Sequence, residues 1–253
     1  MYGTQSGDPS TLVAVGRSGP DGGIGTITFQ RAEAYNAMSI DLARSAAAAL
    51  HELAQETSVI VLRGAGGNFS VGGDIDEVNR LRAAGPEALA TIFEAFGSLV
   101  QAVVDVDVPV VAAVEGYALA GGFELLQVCD LVLLSETAVL GDHHIRAGQV
   151  PAGGGSQRLP RLVGRQRALA HLLTGDRLDP PTAVAWGLAY RWAPAATFDA
   201  MVDEVVGHIA AKDRAALRTM KSLVVQGLQG DLEAGLALER QAVLDPSSWR
   251  AFE

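Results

Sequence analysis

The sequence predicts an α/β fold with a mostly parallel sheet, and three observations carry the prediction. Two apolar runs, residues 59–62 and 108–114, are rich in β-branched side chains and read as strands buried on both faces. Segments of helical period, around residues 39–53 and 86–103, alternate with them. After Thr197 no strand signal remains, and three amphipathic helices follow. Strand and helix in alternation is the pattern of a parallel sheet covered by helices.

Taken in order, residues 12–15 form a candidate strand, closed by the turn cluster Ser18-Gly19-Pro20-Asp21-Gly22-Gly23. Residues 24–29 form a second, so the pair reads as an edge hairpin. Ser39 is a good N-cap for a helix with Leu42, Ala46, Ala49, Leu50 and Leu53 on one face. Pro86 opens a long helix with Leu89, Ile92, Phe93, Phe96, Leu99, Val100 and Val103 at helical spacing. Residues 131–134 form a further strand, residues 165–173 a helix stopped by Gly175, and Asp179-Pro180-Pro181 starts another that closes near Gly187. Residues 190–192 read as a last short strand. The terminal helices carry Phe198, Met201, Val202, Val205 and Ile209, then Leu217, Met220, Leu223 and Val224, then Leu232, Leu236 and Val243 behind a capping Asp231. The expected organisation is a disordered lead at 1–11, an α/β core at 12–195 and a helical region at 196–253. Apolar stripes on such a region pack on the core or on another subunit.

The 253 residues carry a formal charge of −10, which argues against nucleic acid as the main partner while allowing a local basic pocket. A lone cysteine, Cys129, rules out an internal disulfide and fits a reducing compartment. No apolar run is read as long enough to span a bilayer, and the polar N-terminus has no signal-peptide pattern. A soluble cytoplasmic protein is expected.

Chemistry concentrates in Gly116-Tyr117-Ala118-Leu119-Ala120-Gly121-Gly122-Phe123-Glu124-Leu125-Leu126-Gln127-Val128-Cys129-Asp130, read as a glycine turn opening a short buried helix. The pair Gly121-Gly122 lets another group approach the backbone, and unpaired N–H groups at a helix start favour a developing negative charge. Glu124 sits in the first turn beside them. An oxyanion site next to a carboxylate suits enolate chemistry; a tight turn with a solvated glutamate is the plainer alternative. The loop Gly64-Ala65-Gly66-Gly67-Asn68-Phe69-Ser70-Val71-Gly72-Gly73-Asp74-Ile75 has more glycine than a connector needs. It lacks the Gly-Lys-Ser/Thr ending of a phosphate loop.

Four segments together resemble the crotonase (enoyl-CoA hydratase/isomerase) superfamily. They are Arg31-Ala32-Glu33-Ala34-Tyr35-Asn36-Ala37-Met38, Phe69-Ser70-Val71-Gly72-Gly73-Asp74-Ile75, the stretch around Glu124, and Gly148-Gln149-Val150-Pro151-Ala152-Gly153-Gly154-Gly155-Ser156-Gln157-Arg158-Leu159. The resemblance implies a spiral of ββα units, a C-terminal helical trimerisation region, and homotrimers that often pair into hexamers. It implies an acyl-CoA thioester substrate, with coenzyme A entering only as part of that substrate, and no metal. By position, the oxyanion-hole amides fall on Gly73 and Gly121. The loop carrying Phe69, Val71, Asp74 and Ile75 would wrap the CoA, with Gly122 and Pro151 beside the substrate. Asp74 and Asp76 themselves read as loop and helix-start residues. Lys221 matches a position where the family often has a basic residue near CoA; an ordinary surface lysine is the other reading.

Of the two glutamates used by the family's hydratases, the first matches Glu124 and the second falls on His144. An imidazole serves as acid or base near neutral pH. His143 is expected to face away, and Asp142 either orients His144 or caps a turn, with the cap preferred. The family also continues into an acidic-Gly segment and a basic tail where this sequence has residues 245–253, so the resemblance carries over the thioester pocket and not the tail's adenine contacts. Three readings follow: a lyase or isomerase of the enoyl-CoA type with Glu124 as principal base and His144 as partner, a C–C hydrolase of β-diketones using His144, and a binding homologue without catalysis.

Overall fold

A computed structural model of the chain describes residues 12–244. The expected lead and the departure at 245–253 lie outside the described residues. Six strands form the main sheet: β1 (Val13–Ser18), β2 (Ile24–Phe29), β3 (Val59–Gly64), β4 (Val110–Val114), β6 (Leu131–Ser135) and β8 (Arg191–Ala193), hydrogen-bonded in the order β1-β2-β3-β4-β6-β8. Only the β1–β2 hairpin, with Val13 opposite Phe29, is antiparallel. Successive residues point to opposite faces of the sheet. On one face Ile60, Leu62, Val110, Ala112, Val114, Val132 and Leu134 meet α1 (Ile40–Glu56) and α3 (Pro86–Asp105). On the other, Val59, Val61, Val111, Ala113 and Leu133 meet α8 (Ala195–Ala210) through Phe198, Met201, Val202, Val205 and Val206.

Of the two packings expected for the apolar stripes after residue 195, on the core or on another subunit, α8 takes the first. The apolar stripe of α8 is a layer of the core, because without it one face of the sheet would be open. The two helices that follow it, α9 (Arg214–Gly227) and α10 (Leu232–Leu244), have no buried residue.

Ser39 caps α1, its Oγ accepting from Leu42 N at 3.1 Å, and Pro86 opens α3. Gly85, at φ 116°, separates α3 from α2 (Ile75–Ala84), the helix whose start the sequence marks at Asp76. α3 also corrects the membrane reading: its 20 residues have the length and apolar composition to cross a bilayer. Its buried residues, among them Ile92, Phe96, Leu99 and Val103, belong instead to the core beside α1, while Phe93 is exposed.

Lys221 on α9 is not a surface lysine. Its Nζ lies 2.9 Å from Asp130 Oδ2 and donates to Val103 O at 3.3 Å and Val108 O at 3.1 Å, with its side chain only 7% exposed. Those contacts occupy all three of its donors, so none is left for a CoA phosphate. Arg214 and Arg218 likewise donate to Ala54 O, pinning α9 to the end of α1.

A second, two-stranded parallel sheet of β5 (Tyr117–Leu119) and β7 (Val139–Gly141) was not predicted; three residues per strand give no readable alternation. It builds the site.

Candidate active site

β5 runs directly into α4 (Gly121–Leu126), and β7 runs into the turn that carries Asp142 and His144. Leu119 pairs with Gly141, and Ala120 N donates to Gly141 O at 2.9 Å. This register sets the start of α4 beside the end of β7, and so Glu124 beside His144. Ala120 holds φ 47°, ψ −117°, a sparsely populated conformation for a residue with a side chain. It turns the chain sharply before Gly121.

The glycine loop is fastened to β5 through Ser70. Ser70 N donates to Tyr117 O and Leu119 N donates to Ser70 O, each at 2.9 Å. Asn36, fully buried, donates through Nδ2 to Ala65 O at 2.9 Å and Asn68 O at 2.7 Å, which explains the Asn36-Ala37-Met38 segment. Gly73 thereby lies against Gly121: a Cβ on Gly121 would sit 3.6 Å from Gly73 N and 3.4 Å from Phe96 Cζ. Met38 and Gly73 form a parallel bridge in which Met38 N donates to Gly72 O and Asp74 N to Met38 O. Gly73 N has no part in it. Among the described residues, neither Gly73 N nor Gly121 N donates to a turn or loop acceptor.

Glu124 is 2% exposed. Its Oε1 accepts from Gly153 N and Gly155 N, both at 2.8 Å, which leaves Oε2 facing His144 Nε2 at 3.8 Å. The glycine run is what permits this. A Cβ on Gly153 would meet Phe96 Cε1 at 2.3 Å and Glu124 Oε2 at 3.1 Å; one on Gly155 would meet Glu124 Oε1 at 3.2 Å and Asp142 Oδ2 at 3.3 Å. Arg158, on α5 (Gly155–Val163), donates to Gly153 O and steadies the loop. Burial pushes the Glu124 carboxyl above its ordinary value, against the opposing pull of the Gly155 amide, the His144 ring and the Gly153 amide.

His144 Nδ1 lies 2.9 Å from Asp142 Oδ1, which also accepts from His144 N at 3.3 Å. Burial alone would lower its pKa; the hydrogen bond and charge of Asp142, with the charge of Glu124, override it and hold the ring above the ordinary imidazole value. Asp142 therefore does both things the sequence allowed: its Oδ1 caps the turn through the His144 backbone N–H and orients the His144 ring through Nδ1. His143 does face away, stacked over Gly141, because it takes a left-handed conformation at φ 57° and not because the segment is extended.

A model of the enoyl-CoA hydratase/isomerase family matches residues 19–251. The chain belongs to this family. It is 36% identical over 226 residues to a probable enoyl-CoA hydratase of Rhizobium meliloti, covering 87% of this chain and 84% of that one. The crystal structure of the Bacillus anthracis enoyl-CoA hydratase superposes with a TM-score of 0.86 at 31% identity, over 92% of this chain and 89% of that one. A candidate enoyl-CoA hydratase from Thermobifida fusca, solved with acetoacetyl-CoA, gives 0.83 at 31% identity, over 93% and 94%. The crotonase fold and the helical C-terminal region are thus those of the family.

Several residues expected at the substrate make scaffold contacts through their side chains. Phe69 is fully buried edge-on against Phe29, with ring centroids 5.7 Å apart. Asp74 caps α2, with Oδ1 accepting from Glu77 N at 3.0 Å and Oδ2 paired with Arg31 at 2.8 Å. Each of its oxygens has a partner within the chain. Gly122 is a packing glycine: a Cβ there would lie 2.2 Å from Ser70 O, so the two loops touch with nothing between. Val71 and Pro151 are half-buried, and Ile75 is exposed at the head of α2. Sequence reasoning gave Gly153 and Gly155 no role of their own, although they lie in the fourth segment that carries the family resemblance. It also passed over His171, on α6 (Arg165–Thr174), buried with its ring 5.1 Å from Phe123. Among the described residues no group of three or more His, Cys, Asp or Glu is disposed to hold a metal ion.

Proposed function

We propose that the protein hydrates an enoyl-CoA thioester, with the amides of Gly73 and Gly121 receiving the thioester oxygen and the Glu124–His144 pair handling water. The observation that carries this is the fixed carboxylate: two amides hold Glu124 Oε1, so Oε2 presents to a single partner, His144, beside two backbone N–H groups with no turn or loop acceptor. Two hydrogen-bonding atoms 3.8 Å apart can hold one water at ordinary bond lengths, with an angle of about 85° at its oxygen. A water so placed is ready to add across a double bond whose electrons the amides draw toward the thioester oxygen. The relatives' descriptions and the acetoacetyl-CoA complex of the Thermobifida protein support the substrate class.

The test is loss of the conjugated thioester absorbance of crotonyl-CoA on incubation with the purified protein. Hydration by the wild-type enzyme is the expected result. A protein that takes up crotonyl-CoA without consuming it would leave the third reading, binding alone. Hydrolysis of a β-diketone that carries no CoA would favour the second, for which the His144–Asp142 contact is the supporting observation.

The exposed apolar side chains of α9, α10 and the turn between them, including Met220, Val224, Leu228, Leu232, Leu236 and Val243, support a homotrimer or a pair of trimers. Light scattering should give three or six times the 26.3 kDa chain mass. A monomer at micromolar concentration would contradict this.

A further inference from the structure

The acid half of the site carries a support beyond the usual pair of side chains. Asp142 is almost fully buried at the end of β7. One of its oxygens receives both the ring Nδ1 and the backbone N–H of His144, while Oδ2 lies against Gly155 with no hydrogen-bond partner among the described residues. Its own backbone N–H donates to His171 Nε2 at 3.2 Å. That bond needs a lone pair on His171 Nε2, so His171 is neutral with its proton on Nδ1, a state that burial also favours. The charged or titratable groups facing the His144 ring are Asp142 from the turn after β7 and Glu124 from α4. Behind them, Arg158 of α5 faces Glu124 and His171 of α6 holds Asp142. Two carboxyl groups thus flank one imidazole, and Arg158, the arginine that faces Glu124 among the described residues, is tied to Gly153 O.

We propose that Asp142 is a positioning residue which, by accepting from Nδ1, aims His144 Nε2 at Glu124 Oε2 and keeps a proton on that nitrogen. His144 is then the acid of the site and Glu124 its base. The inference rests on the hydration reading for the step it supports. Glu124 Oε2 takes a proton from water as the water oxygen bonds to Cβ, and the π electrons move to the thioester oxygen. As that enolate collapses, Nε2–H of His144 gives its proton to Cα. The net change is addition of one water. The proton left on Glu124 returns to His144 across the 3.8 Å gap, a distance one water can bridge.

The sign of the pH dependence follows. An acid form held above the ordinary imidazole value persists to higher pH than a free imidazolium and is lost as pH rises through the folded value, so His144 sets the alkaline limb of the rate profile. The base form of Glu124, also held up, appears as pH rises and sets the acid limb. The pair titrates as one coupled system.

The test is an NMR titration of the histidine Cε1–H signals of the whole protein without substrate. The signal missing from His144→Gln identifies His144 among five histidines. In the wild type its midpoint lies above 6.5. In Asp142→Asn it falls by at least about one pH unit, a tenfold change in proton affinity, and the alkaline limb of crotonyl-CoA hydration moves down with it. Asp142→Glu, which keeps the charge, restores most of the shift. A wild-type midpoint below 6.5, or one unmoved by Asp142→Asn, overturns the proposal; the wild-type value needs only the His144→Gln assignment, so it decides even if Asp142→Asn folds poorly. A midpoint that moves while the alkaline limb stays fixed overturns the acid assignment. Wild-type protein that hydrates no enoyl-CoA overturns the proposed reaction, and the titration still decides what Asp142 does to His144.

Discussion

Glu124→Gln should lower crotonyl-CoA turnover at least about a hundredfold, the usual loss when a positioned general base is removed. The substitution is close to isosteric. The glutamine Oε1 can still accept from Gly153 N and Gly155 N, so the α4–α5 junction keeps its two bonds. Only the atom facing His144 changes, from an acceptor to an amide nitrogen that cannot take a proton. Stability should hold or rise, because the wild-type carboxyl is buried and its pKa is pushed up by that burial. A fall in rate with an unchanged or higher Tm therefore reads as chemistry. A variant with wild-type turnover would place the base elsewhere.

Gly72→Ala is expected to act on the other half of the site. At φ +90° Gly72 occupies backbone space that other residues rarely enter, and a Cβ there would lie 2.6 Å from Gly121 N and 2.9 Å from Leu119 O. Gly72 cannot step aside easily: its carbonyl accepts from Met38 N at 2.7 Å and its N–H donates to Ser70 Oγ at 3.2 Å. The added methyl must push the two loops apart or cover the Gly121 amide. Losing one oxyanion donor costs about 10²–10³ in kcat, and the strained backbone adds about 1–3 kcal/mol of destabilisation. Gly73→Ala separates these effects, since its Cβ meets nothing nearer than Val78 Cγ2 at 3.8 Å and stability should be kept. Full turnover in Gly72→Ala, measured with crotonyl-CoA, would remove Gly121 N from the mechanism.

The large elements were legible because each repeats one physical signal many times. The face of α1 through Leu42, Ala46, Leu50 and Leu53, the Ser39 cap and the doubly buried β3 and β4 all stand where hydrophobic period and capping chemistry put them. What was not legible is short or long-range. β5 and β7 are three residues each and owe their existence to each other, so no local pattern marks them. α8 looked like part of an appendage because an amphipathic helix shows that it must pack, not on what. Within the site, Glu124, Gly121, Gly73 and His144 come together in space, although Gly73 and His144 are 71 positions apart in the chain. The roles of Asp142, Gly153 and Gly155 rest on contacts between separate loops, and a sequence shows such contacts only through a known family. Lys221 misled for the same reason: its partners Val103, Val108 and Asp130 belong to other elements.

One measurement reaches the centre of the account, a crystal structure of the protein with acetoacetyl-CoA bound. The thioester oxygen should lie about 2.7–3.1 Å from both Gly73 N and Gly121 N, with the acyl carbons between Glu124 Oε2 and His144 Nε2. An oxygen bound to other groups or left to solvent, with those two amides turned away from it, would contradict the account.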